Sequence, residues 1–233
     1  MIVEIVGPPG VGKTTIAARL DEVSRDSVVP LLSFADYQEL DREIGEGAIM
    51  KKGRIARWCT LAPMCWRRPR LVLRVALLTI LHGRPFLRRG RKAQRLIAHA
   101  LFTERLQAMC PDKVCVHHDG FTQCLWSTLI ESRALRGRGM IHSIMRDYYG
   151  RVRPRLILLE IDDELAARRA FSRTSKGRFN DDSSPQQQAD FGRWLGYHRE
   201  LVDLLPSDLD VTRVDGTSRP ELLAAHIRDC CAV

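Results

Sequence analysis

The eight residues Gly7-Pro8-Pro9-Gly10-Val11-Gly12-Lys13-Thr14 constrain the fold of this chain more than any other feature. They follow a short β-branched run, Met1 to Val6, and lead into Lys13 to Arg25, where Ile16, Leu20 and Val23 recur at helical spacing. The spacing is G-x-x-x-x-G-K-[ST], set between a strand and a helix as that motif requires. Its glycines let backbone N–H groups converge on phosphate oxygens, and the helix adds the positive end of its dipole to the same anion. The alternative is a glycine-rich turn that binds nothing, and the strand and helix on either side argue against it.

In such a cradle each residue has a role. Gly7, Pro8, Pro9, Gly10, Val11 and Gly12 wrap ATP phosphates, and Lys13 spans the β and γ phosphates. Thr14 places its hydroxyl on Mg2+, and Thr15 bonds an inner phosphate or caps the helix.

Further strands are expected at Val28 to Phe34, Lys113 to His118, Arg155 to Ile161 and Asp210 to Val214, with a last helix from about Pro220 to Cys230. Arg155 to Ile161 is almost wholly apolar, as befits a strand covered on both faces. Strands alternating with helices imply a parallel sheet of five strands between helical layers. At 233 residues and 45% hydrophobic the chain suits one domain, 1–233, with a long helical insertion at 47–109 between strands two and three.

Lysine and arginine exceed aspartate and glutamate by 37 to 28, so the partner or substrate is expected to be anionic, which a nucleotide alone satisfies. Seven cysteines with no Cys-x-x-Cys pair read as reduced thiols, not a metal site. The opening strand carries Glu4 and lacks the basic-then-apolar layout of a secretion signal, so a cytoplasmic protein is expected. Leu71 to Leu81 is interrupted by Arg74 and is shorter than the ~20 residues that cross a bilayer.

Ligands of an open parallel sheet lie beyond the carboxyl ends of its strands, where Asp36 and Asp119 fall. Asp119 can hold Mg2+ through water or accept the proton of an acceptor hydroxyl, and Asp36 can do the second task. Asp119-Gly120 is also a turn-forming pair. His117 and His118 point to opposite sheet faces and cannot ligate one ion. After Ile161-Asp162-Asp163 a helix carries Arg168, Arg169 and Arg173, and Thr174 to Arg178 follows. Charge over a migrating phosphoryl group arrives on such a closing segment, so 168–183 is the expected lid; a solvated helix face is the plainer alternative.

Together the glycine loop, the Asp119 segment, Leu158-Leu159-Glu160-Ile161-Asp162 leading to Arg168, Arg169 and Arg173, and Val214-Asp215-Gly216-Thr217 resemble thymidylate kinase and its nucleoside and nucleotide kinase relatives over 1–36 and 113–231. The resemblance implies a three-layer α/β/α P-loop fold with Lys13, Asp36, Asp119, Arg169 and Arg173 serving catalysis. It also implies an adenine pocket lined by Arg173 and Arg178 of the lid and by the loop bearing Asp215, Thr217 and Ser218. Thymidylate kinases carry Asp-Arg after strand three, the arginine gripping the acceptor's phosphate. This chain has Asp119-Gly120, which argues against thymidylate.

Residues 51–103 hold fourteen basic side chains and no Asp or Glu, interleaved with Trp58, Trp66 and Phe86. Such a segment suits a large anionic acceptor, an acidic glycan, a nucleic acid or peripheral contact with an anionic membrane; the plain alternative is a helical cap with solvated arginines. In related kinases this region helps form the acceptor site, which points to a sugar or lipid-linked hydroxyl. A homodimer is compatible with the sequence. The favoured function is ATP-dependent phosphotransfer to a small-molecule or anionic acceptor. The competing one is a P-loop ATPase or regulatory nucleotide-binding module acting on nucleic acid or a protein partner, for which strand three lacks the usual Asp-Glu ending.

Overall fold

A computed structural model of the chain describes residues 1–24, 31–32, 65–82, 86–109, 111–130, 135–172 and 183–231. The elements run β1 (Ile2–Val6), α1 (Lys13–Ser24), β2 (Leu31–Leu32), α2 (Pro69–His82), α3 (Phe86–Met109), β3 (Val114–His117), α4 (Phe121–Leu129), α5 (Arg138–Val152), β4 (Arg155–Glu160), α6 (Asp163–Phe171), α7 (Pro185–Asp203), β5 (Val211–Asp215) and α8 (Pro220–Cys231).

All strand pairs are parallel, in the order β2-β3-β1-β4-β5. Four of the strands have four or more described residues, and β2 adds a two-residue ladder at the edge. Within the expected strand at Val28 to Phe34, Leu31 and Leu32 pair with Val114 and Cys115, and the flanks lie outside the described residues. Every residue of central β1 is buried.

Period-two alternation divides the strands between two cores. Val3, Ile5, Val116, Ile157 and Leu159 pack with Ile16 and Leu20 of α1 and Leu223 and Ile227 of α8. Ile2, Val6, Cys115, Leu156 and Leu158 face a larger core that includes α4, α5 and α7, with Leu71, Val75 and Leu78 of α2 and Leu96, Ile97 and Leu101 of α3. Of the 47–109 segment, residues 65–82 and 86–109 are described, and they contain helices α2 and α3. Two helix starts rest on local capping: Asp162 accepts from the N–H groups of Glu164 and Leu165, and Ser184 forms a capping box with Gln187 ahead of Pro185.

Because the strands run the same way, their carboxyl ends share one edge of the sheet. The glycine loop after β1, Asp119 after β3, Asp162 after β4 and Asp215 at the end of β5 therefore all belong to that edge. Among the described residues no helix is long and apolar enough to cross a membrane.

Candidate nucleotide-binding site

Two glycines of the loop hold left-handed backbone angles, Gly10 at φ 91° and Gly12 at φ 98°. A side chain at Gly10 would also place its Cβ 2.2 Å from the Ala166 carbonyl oxygen, so α6 packs directly on the loop. The loop closes with the Val11 N–H donating to the Pro8 carbonyl at 3.4 Å, and α1 opens at Lys13 with no acidic residue in its first turn. Thr14 and Thr15 are exposed on that turn. Lys13 is only 8% exposed, and its Nζ donates to the carbonyls of Gly7 at 2.6 Å and Pro8 at 3.1 Å. An ammonium parked on loop carbonyls is a cation placed to move onto an anion that enters the cradle.

A cavity of about 260 Å³ adjoins the loop, lined by Gly10, Gly12, Thr15, Arg169, Gly216 and Ser218 among others. Arg169 Nη1 donates to the Gly216 carbonyl at 3.1 Å, and the Gly216 N–H donates to the Glu160 carbonyl at 2.7 Å. A Cβ at Gly216 would meet Val11 Cγ2 at 2.4 Å, so this turn and the glycine loop are in direct contact. Asp215 accepts from the Thr217 N–H at 2.8 Å and hydroxyl at 2.7 Å, and these bonds hold its carboxyl below the usual range. Asp215 and Thr217 shape the turn, while its neighbours Gly216 and Ser218 line the cavity.

On the β3 side Asp119 is exposed, and its carbonyl accepts from His99 Nε2 of α3 at 3.1 Å. Beneath it lies a residue that the sequence did not mark as functional. Glu4 is 1% exposed in mid-β1; its Oε1 accepts from the Thr122 N–H at 2.8 Å and its Oε2 from the Tyr149 hydroxyl at 3.3 Å. Burial raises its pKa to about 7 against the lowering effect of those bonds. A Cβ at Gly120 would lie 2.2 Å from Glu4 Cγ and Cδ. The position after Asp119 is thus closed to a side chain, which explains the Asp-Gly pair physically. Arg95 and Asp119 both act electrostatically on buried His99 and Cys124, so Arg95 brings a cation to this end of the site.

His117 is buried, with its pKa pushed down to about 3 by burial first and by His99 and His118 next. His118 is only partly buried and lies just past the end of β3. His198 of α7 was not anticipated. It is 5% exposed, its Nε2 finds no partner among the described residues, and burial followed by the Lys13 and Arg199 charges lowers its pKa to about 3. It is therefore neutral, and a neutral imidazole behind the loop adds no charge to compete with Lys13.

The site brings together Lys13, Thr14, Thr15, Arg169 and the 215–217 turn, with Asp119 on the adjoining β3 side. Asp36, Arg173, Arg178 and most of the expected lid lie outside the described residues. Among the described residues no group of three His, Cys, Asp or Glu side chains can hold a metal by itself. The donors at the loop, a threonine hydroxyl and a distant carboxylate, fit Mg2+, which takes few protein ligands and completes its shell with phosphate oxygens and water.

No protein-family model and no curated protein matches the sequence. Among solved structures the chain is similar to deoxyadenosine kinase from M. mycoides with bound dATP, with a TM-score of 0.50 and 11% identity over 100% of both chains. The same kinase with dCMP and dCDP bound aligns at a TM-score of 0.49 and 12% identity over 99% of this chain and 98% of that one. Shikimate kinase from Acinetobacter baumannii aligns at 0.42 and 14% over 99% and 92%. The parallel α/β sheet with a glycine loop after β1 is the fold of that deoxyadenosine kinase.

Proposed function

We propose that this protein is a cytoplasmic, single-domain ATP-dependent phosphotransferase, moving the γ-phosphate of ATP to an acceptor hydroxyl or phosphate. The observation that carries the reading is Lys13 Nζ bonded to the Gly7 and Pro8 carbonyls, beside two glycines at positive φ and an acid-free helix start. The N–H groups of the loop bind the phosphates, and Lys13 transfers its bonds from those carbonyls to the β and γ oxygens. The nucleobase occupies the cavity between Arg169, Gly216 and Ser218.

Mg2+ bound by the Thr14 hydroxyl, with Asp119 reaching it through water, would neutralise phosphate charge. Asp119, or Asp36, accepts the proton of the attacking hydroxyl, and Arg169 with Arg173 covers the transferred group. Gly120 supplies no arginine to grip a phosphate on the acceptor, which favours an uncharged hydroxyl on a sugar or lipid-linked molecule over a nucleoside monophosphate.

Incubation with labelled ATP and Mg2+ against pooled nucleosides, nucleotides, sugars and lipid extracts tests the reading. A labelled, phosphorylated product supports it. Phosphate release with every acceptor unlabelled would instead assign the chain to the ATPase or regulatory module class.

A further inference from the structure

Helix α2 carries apolar residues on two opposite faces. Leu71, Val75 and Leu78 are at most 2% exposed in the larger core. Leu73, Leu77, Ile80 and Leu81 stand at i, i+4, i+7 and i+8 on the other side, at 60%, 42%, 58% and 49% exposure, and Trp66 just ahead of the helix is 87% exposed. A helix apolar all round belongs in a core, and this one presents such a stripe at the surface, with no cover from the described residues. The segment's own charge has one sign: Arg67 and Arg70 are exposed, and residues 51–103 contain no Asp or Glu. The nearby arginines that do find carboxylates, Arg68 with Glu104 and Arg74 with Asp147, draw them from outside that segment.

From this geometry we infer that α2 docks the protein on an anionic lipid bilayer, its Leu73, Leu77, Ile80 and Leu81 stripe entering the acyl boundary while Trp66 and the basic residues sit among the headgroups. The helix is 14 residues long, and with no described helix able to span a bilayer it would lie in the interface. Charge decides among occupants. A second copy meeting this face through a two-fold axis would bring two acid-free basic segments together, which repels. Single-stranded nucleic acid would match the charge, yet it needs aromatic platforms, and the helical stripe is aliphatic. Anionic lipid matches both the charge and the aliphatic stripe. The inference does not depend on phosphotransfer, because binding to lipid needs no nucleotide.

Flotation of the full chain with vesicles tests this directly. It is expected to float with equimolar phosphatidylserine and phosphatidylcholine, and to remain unbound with phosphatidylcholine alone. The paired substitution Leu77→Gln and Ile80→Gln should cut the bound fraction roughly tenfold or more with its thermal unfolding and ATP binding unchanged, because both side chains are exposed. Three results would each overturn the inference: no flotation of the folded wild-type chain with either vesicle, equal flotation of the paired variant, or sedimentation showing that the pair converts a dimer to a monomer without altering vesicle binding. Oligonucleotide binding that survives the paired change, with no lipid binding, would assign the basic segment to nucleic acid instead.

Discussion

Glu4 and Gly120 occupy one space: a Cβ on Gly120 would lie 2.2 Å from Glu4 Cγ and Cδ. The carboxyl cannot simply swing away, since its oxygens accept from the Thr122 N–H and the Tyr149 hydroxyl in a fully buried pocket. Gly120→Ala should therefore cost about 1–3 kcal/mol of stability, and much of that cost should vanish in a Glu4→Ala background. Urea denaturation of the four proteins measures the coupling, and strictly additive effects would contradict it.

Protonation of Glu4 makes a second prediction. Its folded pKa of about 7 lies above the ordinary 4.5, so the folded state binds the extra proton, and the stabilising contribution present below 4.5 is lost as pH rises toward 7. The loss amounts to about 3 kcal/mol. Three histidines act oppositely. His99, His117 and His198 have pKa values lowered from 6.5 to about 4, 3 and 3, so each adds stability above 6.5 that is lost as pH falls. Below 6.5 their combined slope, about 4 kcal/mol per pH unit, outweighs the ~1.4 of Glu4. The wild-type protein should be acid-labile. The stability difference between wild type and Glu4→Gln isolates the carboxyl, and it should shift by about 3 kcal/mol in favour of Gln from pH 4.5 to 7. A difference constant over that range would refute the assignment.

Arg169 joins the cavity wall and fixes the Gly216 carbonyl. Arg169→Met should raise KM for ATP roughly tenfold, the loss of one bond from a charged donor, while thermal unfolding changes little. An unaltered KM would remove Arg169 from the nucleotide site.

Asp119 is exposed at the carboxyl end of β3, and its carbonyl accepts from His99 and from the Cys124 thiol. Asp119→Asn should lower kcat about 10²–10⁴-fold with the affinity for ATP nearly kept, as expected of a proton acceptor. Asp36→Asn tests the alternative base. Full turnover in both variants would exclude both roles.

What the sequence disclosed were local features. The glycine loop, the start of α1 at Lys13, β4 from Arg155 and α8 from Pro220 are each written in a few adjacent residues, and each falls where spacing and turn chemistry put it. Of the second expected strand only Leu31 and Leu32 are described, and they pair with β3 at the edge of the sheet. Strand order was beyond reach, since no local pattern says that β1 lies between β3 and β4. The same limit hid Glu4 and His198. Glu4 read only as one charge in an apolar strand, and its partner Tyr149 is 145 residues away; His198 meets the glycine loop from α7, far along the chain. Charge asymmetry singled out the basic segment, but exposure was needed to show that α2 has a second apolar face.

Isothermal titration with ATP in the presence of Mg2+ addresses the central claim most directly. Wild type should bind one nucleotide per chain, and Lys13→Ala, which removes the ammonium now held by Gly7 and Pro8, should weaken binding or turnover by about 10²–10³-fold. A folded wild-type protein that takes up neither ATP nor GTP would contradict the account.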